Sequence, residues 1–114
     1  MVAARNDAAT RIEQELRRGV VVLAVLSRLK RPEYGYSLRQ ALADRGMAIE
    51  EGTLYPLLRR LESQGLLTSE WREEEKRNKR FYRLSAEGQA VLARLTEEWA
   101  FLNVSIIEIL KGES

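Results

Sequence analysis

The sequence predicts a mainly α fold with one small β-hairpin: a winged helix-turn-helix followed by a C-terminal dimerisation helix. Within residues 50–67, Leu54, Leu57, Leu58 and Leu61 fall at i, i+3, i+4 and i+7, the spacing of one buried helical face. After Gly65 the apolar period changes from 3.6 to 2, as a strand requires. Near the C-terminus Leu92, Leu95, Trp99, Leu102, Ile106 and Ile109 advance by 3, 4, 3, 4 and 3, an a/d heptad seam. Residues 1–85 read as the winged-helix unit with its N-terminal helix, and 86–114 as a helix of the same compact unit.

The first helix begins near Asn6 or Asp7, either of which can cap it, and continues toward Leu29. Its run 20–26 is apolar on all sides and could be a buried strand, but the helical lead-in over 13–18 favours a mostly buried helix. Lys30, Arg31 and Pro32 end it. A turn at Pro32-Glu33-Tyr34-Gly35 leads to a second helix over 36–45, with Leu38, Ala41 and Leu42 inward and Gly46 as its stop. The third helix follows within 50–67 and is stopped by Gly65. Its outer face carries Gly52, Pro56, Arg59 and Ser63. Pro56 cannot donate to the Gly52 carbonyl, so the first turn is either irregular or begins near Thr53.

In the hairpin, Leu67, Ser69 and Trp71 share one face, as do Tyr82 and Leu84 on the second strand, near 80–84. Trp71 reads as a core or hinge residue. The tip lacks Gly and Pro, and Asn78 is its best candidate for a left-handed position. Ser85 caps the last helix, with Glu87 in its first turn. That helix is apolar beyond what one small core covers, which favours a homodimer through the seam over packing back on its own domain.

Composition narrows the chemistry. At 114 residues the chain is one domain with room for a core. It has no Cys and no His, hence no disulfide, thiolate ligand or imidazole base, and its carboxylates form no pair at defined spacing. No enzyme, no metal site and no cofactor are expected. The start carries no signal-peptide core, and the longest apolar run is too short to span a bilayer, so the expected location is the cytoplasm, without a membrane partner. The formal net charge is only +2, but residues 72–83 hold six basic side chains against three acidic ones. A polar helix face followed by a basic hairpin suits gripping double-stranded DNA. An ordinary surface helix is the plain alternative. A winged-helix protein-interaction module without DNA binding is the competing function.

The blocks Tyr34-Gly35-Tyr36-Ser37-Leu38, residues 51–62, Gly65-Leu66-Leu67 and residues 80–88 make the chain resemble the PadR family of bacterial transcriptional regulators, in its short form with a single C-terminal helix. The run Gly52-Thr53-Leu54-Tyr55-Pro56 is the most specific part. The resemblance implies a dimeric repressor on an inverted-repeat operator. By it, residues 53–60 are the recognition helix, Tyr55 contacts phosphate, and Lys76, Arg77, Lys79 and Arg80 form the wing. The DNA-binding set is completed by Tyr36, Ser37, Thr53, Arg59 and Arg60. Arg59, central on the outer face, is the side chain expected to reach a base edge, with Arg60 on phosphate. About four phosphate-bound cations per subunit give a log–log salt slope near about −7 for a dimer.

The chain departs from the family in lacking His before Gly35 and in its glycine-free wing, where Glu73, Glu74 and Glu75 oppose phosphate. The resemblance further implies that Trp99 faces its symmetry mate across a pore and stacks on a planar aromatic small-molecule effector, with Leu16, Val20 and Asn103 lining it. The simpler role for Trp99 is dimer core.

Overall fold

The computed structural model describes residues 2–112, with side chains from Asp7 onward. The chain runs α1 (Val2–Arg28), β1 (Glu33–Tyr34), α2 (Gly35–Ala43), α3 (Glu51–Ser63), β2 (Leu67–Glu74), β3 (Arg77–Leu84) and α4 (Ala86–Leu110). This is the expected mainly α architecture, four helices with a small antiparallel sheet.

One core holds the helices together. Val25 and Leu26 of α1, Leu29 just after it, Leu38 of α2, and Leu54 and Leu58 of α3 are sealed from solvent. Leu67, Tyr82 and Leu84 bring in the sheet and Leu92 brings in α4. The third helix therefore buries the leucine stripe that its spacing predicts. The apolar run 20–26 is helical, as the lead-in argued, because it packs α1 against several elements at once.

Several boundaries differ from the sequence reading. Helix α1 already includes Val2, so it passes through Asn6 and Asp7 and neither caps it. Helix α3 starts at Glu51 despite Pro56: the Thr53 and Leu54 N–H groups both donate to the Glu50 carbonyl, at 3.0 and 2.9 Å. The proline ring sits on the exposed side of the helix. Glu33 and Tyr34, read as part of a turn, form a short edge strand paired with Tyr82 and Phe81, which makes the sheet three-stranded in the order β1-β3-β2.

The wing is longer and tighter than expected. Strand β2 extends to Glu74 and β3 begins at Arg77, paired directly. Glu75 and Lys76 make the two-residue turn, with φ of 53° and 64°. Positive φ at both central positions is the turn geometry that matches strand twist. Asn78 is not left-handed; it lies in β3 opposite Glu73.

At the other end of the hairpin the chain is tied down closely. The Leu84 N–H donates to the Leu29 carbonyl at 2.8 Å, and the Ser85 N–H donates to the Leu66 carbonyl at 3.0 Å. Ser85 caps α4 as expected, its hydroxyl oxygen accepting from the Gly88 N–H at 2.9 Å. The same hydroxyl donates to the Gly65 carbonyl at 2.6 Å. Helix α4 therefore leaves from the point where α3 ends.

Candidate nucleic-acid interface

Helix α3 turns its leucines inward, which leaves Thr53, Arg59 and Arg60 exposed. Among the described residues neither arginine forms an ion pair or a side-chain hydrogen bond. Both guanidiniums are therefore free for an outside anion. An ion pair at 3.1 Å between Arg39 of α2 and Glu51 sets the start of α3, and Arg39 Nε also donates to the Ile49 carbonyl at 3.2 Å.

Tyr55 has a structural task as well as an expected phosphate contact. A side chain at Gly35 would overlap the edge of the Tyr55 ring and come within 2.6 Å of its hydroxyl. The Tyr-Gly-Tyr and Gly-Thr-Leu-Tyr-Pro blocks thus lock into each other, and the phenol sits at the N-terminal end of α2. Tyr36 is exposed and stacks on Tyr34, with centroids 6.4 Å apart and planes at 26°. Ser37 faces inward: its hydroxyl lies 2.8 Å from Glu33 Oε1 and 3.0 Å from the Tyr34 carbonyl. Glu33 is buried and also pairs with Arg28, so Ser37 belongs to an internal network.

The four wing cations divide into two pairs. Lys76 and Arg77, at the tip, are exposed and without an ion pair among the described residues. Lys79 is drawn in, its ammonium 4.5 Å from the Tyr34 ring centroid and 3.8 and 3.9 Å from Glu74 and Glu75. The acidic residues that would repel phosphate are thus partly neutralised within the wing. Arg80 is held by Glu62 at 3.1 Å and by Ser69 at 3.0 Å. No local sequence signal marks this use of Glu62, because its partner lies 18 residues away. Trp71, expected in the core or at a hinge, is 64 % exposed and lies under the Arg80 guanidinium at 5.7 Å. One pKa is displaced: burial raises the Tyr82 phenol above its ordinary value, Glu62 adding to the rise and Arg80 opposing it.

The C-terminal seam also divides. Leu92 is buried in the core of its own chain and Leu95 packs against that core. From Trp99 onward the seam is open, with Trp99 45 %, Leu102 48 %, Ile106 46 % and Ile109 68 % exposed. Phe101, Val104, Ile107 and Leu110 are exposed beside it, as are Ile12 and Leu16 on α1. Within one chain Leu16, Val20, Trp99 and Asn103 line no described cavity. A cleft of about 760 Å³ lies elsewhere, between α1 and α3, with Arg17, Arg18, Val21, Thr53 and Arg60 in its walls. Among the described residues no helix is long and apolar enough to cross a membrane.

A helix-turn-helix joined to a two-stranded wing, with free cations on both, defines a winged-helix protein. The family model for the transcriptional regulator PadR-like family matches residues 22–94. A transcriptional regulator of Mycobacterium tuberculosis, Rv3488, is 39% identical over 102 residues, 89% of this chain and 92% of that one. The crystal structure of a PadR family transcriptional regulator from Eggerthella lenta superposes with a TM-score of 0.86 at 44% identity, covering 97% of this chain and 99% of the other. A transcriptional regulator from Clostridium thermocellum superposes at 0.75 with 31% identity, covering 82% and 96%. The chain belongs to the PadR-like family of transcriptional regulators.

Proposed function

We propose that this regulator is a repressor that binds an inverted-repeat DNA operator as a homodimer. The carrying observation is the set of cations without an ion pair among the described residues on two neighbouring elements: Arg59 and Arg60 on α3, Lys76 and Arg77 at the wing tip. Arg59 reads a base edge in the major groove, and the other three hold phosphates. Three such phosphate contacts per subunit bring the expected salt slope of a dimer to about −5, with the wing share now carried by Lys76 and Arg77 alone. Ser37, Lys79 and Arg80 support the surface from inside, whereas Tyr36 and Tyr55 remain at its edge.

The second subunit covers the open half of the seam, from Trp99 to Ile109, together with Ile12 and Leu16. An apolar end of this size on a soluble helix calls for a partner. A planar hydrophobic effector between the two Trp99 rings would alter the spacing of the α3 helices and lower operator affinity.

Fluorescence anisotropy with duplexes from upstream of the protein's own gene tests the proposal. Tight binding with a steep salt dependence is expected, and Arg59→Ala with Arg60→Ala should abolish it while the dimer persists in sedimentation. Salt-insensitive binding, or none to any such duplex, would sink the proposal and favour a protein-interaction module. For the effector, flat hydrophobic dyes should quench Trp99 and release DNA. Unchanged dye response in Trp99→Ala would remove that part.

A further inference from the structure

We propose that Glu62 is a positioning residue that fixes the pitch of the wing against the reading helix, through a closed clasp with Ser69 and Arg80. The inference rests on the DNA-binding reading and adds to it a residue that touches no DNA. Glu62 lies one turn beyond Arg59 on α3, on the side facing the hairpin. Its Oε2 accepts from the Ser69 hydroxyl at 2.7 Å and its Oε1 from an Arg80 Nη2–H at 3.1 Å. Arg80 Nε donates to the Ser69 oxygen at 3.0 Å, which closes the triangle.

Ser69 and Arg80 stand on opposite strands but on the same face, because Ser69 pairs with Tyr82 and Trp71 with Arg80. One carboxylate of the reading helix therefore holds both strands of the wing. The guanidinium lies over the Trp71 and Tyr82 rings, at 5.7 and 5.5 Å, which limits its freedom to turn away. On the opposite face Lys79 grips Tyr34, but that contact ties the wing to β1 and α2 rather than to α3.

The lever beyond the clasp explains why this matters. From Trp71 to the turn at Glu75 the strand rises about 13 Å. A tilt of about 10° at the clasp then carries the tip about 2 Å, more than a hydrogen bond to phosphate tolerates. The Glu62 and Arg80 side chains are 28% and 39% exposed. A pair so open adds little to folding stability, so its effect should show in DNA binding and not in the melting temperature.

The test uses Glu62→Gln, which keeps the size of the side chain and removes its charge, and Ser69→Ala, which removes the bridging hydroxyl. The chain has no cysteine, so Ser63→Cys and Glu75→Cys accept a pair of spin labels without background. With labelled subunits diluted in unlabelled protein, the Ser63–Glu75 distance distribution should be narrow in the parent and broad in both variants. Unchanged distributions would overturn the clasp, whether or not the protein binds DNA.

On operator DNA, Glu62→Gln should lower affinity on the order of 10- to 100-fold at 0.15 M salt and reduce the salt slope from about −5 to about −2, as four wing contacts per dimer are released. In a Lys76→Ala, Arg77→Ala background the same substitution should have no further effect. Additive losses, or an unchanged slope with a broadened distance distribution, would overturn the role in DNA binding. If the parent binds no duplex, the DNA reading itself fails, and the distances alone decide the clasp.

Discussion

Gly88→Ala sets two well-known effects against each other. Gly88 is the third residue of α4, inside its first turn, where alanine is intrinsically favoured by about 1 kcal/mol. A Cβ at this position would collide with the Leu66 carbonyl oxygen, with the Leu66 carbonyl carbon 3.0 Å and Leu84 Cδ2 3.1 Å away. The obstacle is backbone, so no rotamer change relieves it. The start of α4 must retreat, and the bonds from Ser85 to the Leu66 and Gly65 carbonyls stretch as it does. Overpacking of this kind costs about 1–3 kcal/mol and each weakened hydrogen bond about 1 kcal/mol. After the helix gain is subtracted, the variant should be about 2–4 kcal/mol less stable.

Urea unfolding at a fixed protein concentration measures it, since the stability of the proposed dimer would depend on concentration. Gly52→Ala is the control. Gly52 is also helical but has nothing within 4 Å of a built Cβ, so it should gain up to about 1 kcal/mol. A Gly88→Ala protein as stable as the parent would refute the packing argument. A Gly52→Ala protein that gains stability but loses operator affinity would place that position against DNA.

The split seam predicts a split phenotype. Leu92→Ala should cost about 2–5 kcal/mol of folding stability at any concentration, whereas Ile106→Asp should leave the monomer folded and shift the dimer to monomer in sedimentation. Equal effects from both would mean that the seam is one unit. Gly35→Ala should displace Tyr55 and cost about 1–3 kcal/mol. Combined with Tyr55→Ala the loss should be less than additive, as a double-mutant cycle in urea would register. For Tyr82, burial raises the folded pKa above the ordinary 10.0, so the neutral phenol's contribution is complete below pH 10 and is lost as pH rises through the folded value. Ultraviolet titration should show one tyrosine ionising late and with unfolding, and Tyr82→Phe should remove that phase and flatten the alkaline fall in stability.

What could be read in the sequence was local. The leucine stripe of α3, the change of period after Gly65 and the Ser85 cap each depend on residues within a turn or two of one another, and each is present. Strand β1 was missed because two residues carry no period. Glu33 and Tyr34 are a strand only because Tyr82 and Phe81 lie beside them. The wing turn was misplaced because Glu75 and Lys76 take up positive φ without glycine or asparagine, a conformation imposed by the pairing of Glu74 with Arg77.

The same limit applies to the site. A basic run shows how many cations a wing holds but not which of them are free. Lys79 is captured by a tyrosine 45 positions earlier and Arg80 by a glutamate on α3, so half of the wing charge expected to meet DNA is structural. The heptad seam fails in a parallel way. Its 3-4 spacing records an apolar face without recording what covers it, and here the chain's own core takes Leu92 and Leu95 while the rest stays open. Those two divisions have one consequence. The hairpin and the last helix each begin fixed beside the end of α3, by Arg80 and by Ser85, and each ends in exposed side chains. In the proposed complex, contacts at the tips, with phosphate at Lys76 and Arg77 or with a second subunit beyond Trp99, therefore act through short levers rooted beside α3.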